Sequence, residues 1–222
     1  MQHKTKGIVL HSLKYGEGSL IVHVYTREFG RQSYMVQGVR SKKSKFHAGY
    51  FQPLSLLDLE VDHKHTRSIQ RIRDLSLGNP LHQIRSDIVK STISLFIGEL
   101  LYRSLHEAEA DHNLFDYLAG SIEILEFCHE GCANFHLVFL VQFTRFLGIF
   151  PQNNHEIDVY QPAGTGLKIH ELLGYSLNDL PRIQLSNAQR NLLVSAVVDY
   201  YYFHLEGMSP ISSLKILHEV FS

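Results

Sequence analysis

Ser19-Leu-Ile-Val-His-Val-Tyr-Thr26, with Lys6-Gly-Ile-Val-Leu-His11 before it and Arg31-Gln-Ser-Tyr-Met-Val-Gln37 after it, decides how this chain begins. In the first stretch Leu20, Val22 and Val24 recur at every second position, the repeat of a β-strand with one buried face. Glycine-containing turns, Tyr15-Gly-Glu-Gly18 and Arg27-Glu-Phe-Gly30, separate the three strands. From Gly38 to Gln52 the chain is basic and polar, too charged to be buried, and reads as a long loop with some helix. Pro53 opens a fourth strand whose apolar parity changes: Leu54 and Leu56 face one way, Leu57, Leu59 and Val61 the other, and a β-bulge near Leu56 reconciles them. The fifth element, Arg67 to Leu77, spaces Ile69, Ile72 and Leu75 by three, which suits a bent strand or a helical turn; we read a strand. Five strands with one long connection, between the third and fourth, predict a small closed barrel of oligonucleotide-binding (OB) type over residues 1–80.

After Gly78-Asn79-Pro80 the repeat changes from two to nearly four. Ser86 is the expected cap of a helix striped by Val89, Ile93, Phe96, Ile97, Leu100, Leu101 and Leu105. A second helix carries Leu114, Tyr117, Leu118, Ile122 and Leu125. The third, about Asn134 to Leu147, is apolar on nearly every side and should be the buried centre of a bundle, ended by Gly148. Ser186-Asn-Ala-Gln189 is a capping box opening a fourth helix, and a short one closes the chain from Leu214 to Phe221. The expected fold is therefore α+β: a five-stranded OB-fold β-barrel over 1–80, then an all-α helical domain over 81–222 with an irregular segment at 151–185.

A net charge of -1 conceals an asymmetry along the 222 residues. Residues 1–80 hold 13 Lys+Arg against 6 Asp+Glu, a balance of +7, whereas residues 81–222 hold 8 against 16, a balance of -8. Such a split points to a polyanionic partner for the barrel. The sharpest feature is Arg40-Ser-Lys-Lys-Ser-Lys45, followed by Phe46, His47, Tyr50 and Phe51. Cations attract phosphates and flat rings hold unpaired bases, so Arg40, Lys42, Lys43 and Lys45, with Lys14, Arg31, Arg71 and Arg73 nearby in sequence, are the candidate DNA contacts. Phe46, Tyr50 and Phe51 are the candidate base-stacking residues. A solvated loop is the competing reading of the same cluster.

Other constellations carry less. His63 and His65 share a strand face with no third ligand in sight, and read as a surface strand end; Asp58, Glu60 and Asp62 alternate as any solvent-facing edge does. No phosphate-loop, nucleophile-elbow or dinucleotide signature occurs, so neither an enzyme nor a cofactor is expected. Cys128 and Cys132 are too few for a disulfide framework; they read as two small buried hydrophobes, although helical spacing would let them meet or share a metal. Without a signal peptide or an apolar run of membrane length, the expected location is cytoplasmic.

Thr5-Lys-Gly-Ile-Val-Leu10, Tyr15-Gly-Glu-Gly-Ser-Leu-Ile-Val22, Tyr25-Thr26, Phe29-Gly30 and the basic run Gly38-Val-Arg-Ser-Lys-Lys-Ser-Lys45 resemble the bacterial RecO family of DNA repair proteins. Phe51-Gln-Pro-Leu54, Phe135-His136 and Phe146-Leu-Gly-Ile-Phe-Pro151 extend the resemblance over most of the chain. It implies an OB barrel, a helical C-terminal domain, and a nucleoid-associated mediator that binds single- and double-stranded DNA and anneals strands. It also implies three protein partners: RecR, the C-terminal tail of single-strand-binding protein, and indirectly the recombinase RecA, loaded onto coated strands. Arg40, Lys42, Lys43 and Lys45 match the family's DNA-contacting surface. Arg103, Arg145 and Arg190 are candidates for the partner-tail pocket. Many relatives carry four zinc-binding cysteines after the Phe-x-Pro segment, and residues 152–185 here contain none, so zinc is not expected. The alternative reading is a protein-protein adaptor, in which the acidic half docks partners through aromatic surface positions such as Tyr201 and Tyr202 and DNA contact is incidental.

Overall fold

The computed structural model describes residues 2–39, 46–64, 66–106, 109–163, 165–166 and 168–222. The chain divides into two compact units, Met1–His82 with Ile97–Ile122, and Gln83–Phe96 with Glu123–Ser222.

The first unit is built on a closed barrel of strand order β1-β2-β3-β5-β4, from β1 (Gln2–Tyr15), β2 (Ser19–Thr26), β3 (Gly30–Val36), β4 (Leu56–Asp62) and β5 (Ile69–Asn79). This is the five-stranded OB-type barrel that the strand pattern predicts. β1 is long because it pairs antiparallel with β4 through Gln2 to Ile8 and with β2 through Gly7 to Tyr15, its register shifting between Val9 and His11. At the crossover sits Gly7, where a Cβ would lie 2.7 Å from Val24 Cγ1 and 2.8 Å from a Leu59 methyl, so only glycine lets the strands close there. Val9, Val22, Val24, Tyr34, Val36, Leu57, Leu59, Val61 and Ile72 fill the interior.

Two register shifts explain the irregular apolar spacing of the last two strands. Glu60 pairs with Asp74 and Val61 with Ile72, so Arg73 is the extra residue of a bulge, and Ile72 and Leu75 reach the same face despite being three apart. The shift expected near Leu56 is present, but the extra residue is Gly78 on β5. The parity changes between Leu56 and Leu57, both buried, of which only Leu57 belongs to the cluster inside the barrel. Leu54 adopts φ +62°, its N–H donates to Val9 O at 2.7 Å, and Val9 N–H donates to Ser55 O at 3.0 Å.

Helix residues complete this unit. Tyr25 Oη donates to Glu109 O at 3.1 Å and accepts from Asp111 N–H at 3.2 Å, while Arg27 grips the carboxylate of Asp116 through Nε and Nη2 at 3.2 and 3.1 Å. These contacts fasten the barrel to α3 (His112–Phe127) and the segment before it, and Arg31, donating to Tyr102 O, fastens it to the C-terminal part of α2 (Ile88–Ser104).

The second unit centres on α4 (Phe135–Phe143), where every residue but Gln142 is buried. It is shorter than its sequence suggests, giving way to turns that run to Gly148 at φ +70°. The capping box of α6 (Asn187–His204) forms as read, Ser186 and Gln189 exchanging both bonds. Ser86 does not cap α2: its hydroxyl donates to Gln83 O at the end of α1 (His82–Ser86), and Asp87 Oδ1 accepts the Lys90 N–H instead. Nor are Cys128 and Cys132 two buried hydrophobes; they form a half-exposed disulfide closing the turn between α3 and α4. Inside that turn Gly131 has φ +71°, and a Cβ there would lie 2.4 Å from the Leu180 backbone. The described residues of 151–185 are joined by side-chain caps and turns around α5 (Asn154–Asp158): Asp158 accepts the His170 backbone N–H at 3.1 Å and meets its ring Nδ1 at 2.7 Å, and Gln161 Oε1 accepts Ile169 N–H at 2.6 Å. Ile157, Ile169 and Leu172 are buried beneath these bonds. Among the described residues no helix is long and apolar enough to cross a membrane.

Candidate nucleic-acid interface

β3 and β5 close the barrel through a parallel seam of three residue pairs, Ser33↔Ile69, Tyr34↔Gln70 and Met35↔Arg71. Beside this short seam lies a groove of about 310 Å³, lined by residues of β3, by Phe46 and by Arg67, Ile69, Arg71 and Ile72. The last shared pair, Met35↔Arg71, lies two residues before the Arg73 bulge, and the groove takes Ile69, Gln70 and Arg71 of the seam together with Ile72. The neighbouring β4–β5 hairpin is locked by one buried amide. Gln70 Nε2 donates to Lys64 O at 2.8 Å and Arg67 O at 2.7 Å, and its Oε1 accepts Lys64 N–H at 3.0 Å. Lys64, Arg67 and Arg71 are exposed, and none of them is in an ion pair among the described residues. Arg67 and Arg71 thus line the groove and Lys64 lies in the adjoining hairpin, while Arg71 also faces Asp62 across the β4–β5 ladder and helps lower its carboxyl.

The predicted DNA contacts fall into three groups. Arg40, Lys42, Lys43 and Lys45 lie outside the described residues; they occupy the connection between Val39, whose N–H donates to Gly18 O at 3.1 Å, and Phe46 at the groove. Lys14 and Arg71 are exposed. Arg73 is exposed but committed to Asp62 at 2.8 Å, and that bond holds the Asp62 carboxyl below the usual carboxylate range.

Arg31 is engaged elsewhere. Its Nη1 donates to Tyr102 O at 2.8 Å and Leu105 O at 3.0 Å, at the C-terminal end of α2, and its guanidinium lies 4.5 Å from the Tyr102 ring centre. Two carbonyls without helical partners are satisfied by one cation, a fitting arrangement for the negative end of a helix. Burial pulls the Arg31 pKa down. His23 stands beside it, lowered to about 4 by burial first, then by Arg31 and His11.

Of the ring candidates, Phe46 and Tyr50 pack partly against the barrel interior, and Tyr50 meets His47 edge-on. Phe51 is 1% exposed within the core and has no ring face left for a base, which corrects its assignment as a stacking residue. His63 is likewise no surface strand end: it is buried and stacked on Phe29 at 4.2 Å. His65 lies outside the described residues. Among the outward carboxylates of β4, Glu60 pairs with Lys4 at 3.4 Å and Asp62 with Arg73.

The three partner-pocket arginines differ as much. Arg103 pairs with Glu99 one helical turn away at 3.4 Å. Arg190 is buried and structural, bonding Asn134 Oδ1 at 3.1 Å, Asn187 Oδ1 at 2.7 Å and Leu185 O at 3.1 Å; no partner can reach it without dismantling the unit. Arg145 is exposed over the Phe150 ring at 3.7 Å. Tyr201, an expected surface aromatic of the adaptor reading, is fully buried and donates to Leu140 O at 2.7 Å. Phe203, 75% exposed, is the outward ring of α6. Lys64, Arg67 and Gln70 were not singled out by sequence. The signal was available as two cations in a polar stretch between two strands, the composition of a hairpin tip.

The barrel, its cationic groove and the following helices define an OB-fold protein with an appended helical unit. This chain belongs to the Recombination protein O family: residues 1–81 match the family's N-terminal model and residues 85–171 its C-terminal model. It is similar along its whole length to proteins named DNA repair protein RecO, being 35% identical over 240 residues to that of Azobacteroides pseudotrichonymphae and 36% over 239 to that of Flavobacterium psychrophilum. Identity to the Phocaeicola vulgatus protein of the same name is 36% over 241 residues, and in all three cases the alignment covers 100% of both chains.

Proposed function

We propose that this protein is a DNA repair mediator that binds single- and double-stranded DNA through its barrel and anneals complementary strands. In this reading it works with RecR to load RecA onto strands coated by single-strand-binding protein. It does so by binding alone, in the cytoplasm, without breaking covalent bonds. One observation carries the reading: two exposed cations, Arg67 and Arg71, neither in an ion pair among the described residues, line a groove with apolar walls, the combination that a phosphate chain bearing unpaired bases requires. The family name and the repair proteins it is similar to point the same way. The sequence between Val39, bonded to the β1–β2 turn, and Phe46, at the groove, carries four more cations, Arg40, Lys42, Lys43 and Lys45, which this reading assigns to DNA contact. Lys14 joins them, whereas Arg31 and Arg73 act by fixing the barrel's geometry.

Charge reversal tests this directly. The full chain carrying Lys42→Glu and Lys43→Glu should lose DNA affinity and annealing rate while melting at an unchanged temperature. Unaltered binding would reduce the loop to a solubilising segment.

Partner docking fits the second unit, where Arg145 offers an exposed cation stacked on a ring to an acidic tail. Arg145→Glu should abolish capture of the single-strand-binding protein tail and leave DNA affinity intact. Loss of both together would favour the adaptor reading.

A further inference from the structure

We infer that the groove beside the β3–β5 seam is a slot for one unstacked nucleobase, a refinement that rests on the DNA-binding reading above. A volume of about 310 Å³ sits at the small end of the range for ligand pockets and is enough for a planar heterocycle. Its chemistry is divided as a nucleotide is divided. Met35, Phe46, Ile69 and Ile72 supply apolar and ring surface for the faces of a base, while Arg67 and Arg71 line the same groove and offer cations to the flanking phosphates.

The slot is built in advance of any ligand. The Gln70 amide fixes the backbone carrying Arg67, and the paired seam fixes the backbone carrying Ile69 and Arg71. A rigid site costs little ordering on binding. Selection between strands follows from the shape: a base enters only when it is unpaired and swung out of its stack. Duplex DNA can use the cations alone. The slot therefore sets the preference of this surface for single strands, and it releases a base once that base finds its complement.

The test compares two oligonucleotides of equal length and charge, one of thymidylates and one of abasic sites, each binding the full chain in a fluorescence anisotropy titration. The thymidylate strand should bind tighter by about 5-fold to 150-fold, the worth of one stacked base. Ile69→Ser and Met35→Ser, each checked for an unchanged melting temperature, should shrink that ratio towards one. Equal affinity of the unmodified protein for the two strands overturns the slot and leaves phosphate binding standing. Failure to bind either strand overturns the DNA-binding reading along with it. A ratio untouched by both substitutions would place base recognition elsewhere and also overturn the slot.

Discussion

Removing Arg67 and Arg71 together should change the salt dependence of DNA binding more tellingly than it changes the affinity at any one salt concentration. Both side chains are exposed at the groove, and neither is in an ion pair among the described residues, so truncation to alanine releases no buried carboxylate and opens no core. Each phosphate neutralised on a single strand contributes about 0.7 to the slope of log affinity against log salt, so losing two contacts lowers the slope by about 1.4. Between 50 and 200 mM salt, a fourfold change, wild-type affinity should then fall about 7-fold further than that of the double variant. The two binding curves converge as salt rises.

Fluorescence anisotropy with a labelled oligothymidylate at three or four salt concentrations reads this out, and Arg73→Ala is the internal comparison. Arg73 is already paired with Asp62 at 2.8 Å, so its removal also leaves an unpaired carboxylate and should change the slope less. Parallel log–log lines for wild type and the double variant would show that neither arginine meets a phosphate. A larger slope change from Arg73 than from the pair would show that the ion pair opens on binding, contrary to the reasoning.

The second unit supplies two further tests. His136 is buried between Phe96 and Phe221, neither ring nitrogen has a hydrogen-bond partner among the described residues, and burial lowers its pKa to about 3. The unfolded chain, with an ordinary value near 6.5, takes up that proton first, so stability is full above pH 6.5 and declines as pH falls towards 3, by about 2 kcal/mol at pH 5. His136→Phe should flatten this acid limb in denaturant titrations at pH 8 and pH 5; an unchanged limb would mean that other groups set it. Arg190→Ala strips hydrogen bonds from buried Asn134 and from Leu185 O and should cost about 3 kcal/mol of unfolding free energy. DNA affinity measured below the melting transition should stay the same, and a selective loss of binding without destabilisation would contradict the structural role.

How much of this was legible in the sequence depends on whether an element announces itself locally. β2 runs from Ser19 to Thr26 as read, because its alternation is produced by a single buried face. β1 was visible only from Lys6 to His11; its ends pair with two different strands and expose their side chains, so no apolar repeat marks them. The three-residue spacing in β5 was ambiguous because a bulge imitates a helical step, and only the register with β4 tells them apart. An aromatic beside a basic run suggests stacking on a base, yet Phe51 lies in the core, since nothing within a few residues of it records which side of the chain the barrel will cover. Arg31 and Arg190 mislead for a related reason: the carbonyls that hold Arg31 lie 71 and 74 residues away, and one of the groups that hold Arg190 lies 56 away.

The same consideration bears on the charge count. The +7 of residues 1–80 is a sum over the chain, but a phosphate meets only cations that the fold leaves uncompensated. Lys4 is paired with Glu60, Arg73 with Asp62, and Arg27 with Asp116, a carboxylate belonging to the acidic part of the sequence. Arg31 is spent on two carbonyls. Exposed pairs such as these add little to stability, yet each cancels a cation's field at the distances where phosphates bind. Among the described residues that leaves Lys6, Lys14, Lys64, Arg67 and Arg71 exposed and outside any ion pair, and Arg67 and Arg71 are the two that line the groove. On the proposed reading the attraction is therefore local to the groove and to the basic run that precedes Phe46 in sequence. That is why reversing two loop charges, or deleting two at the groove, should be felt by DNA far more than the same change in net charge made at Lys4 or Arg27.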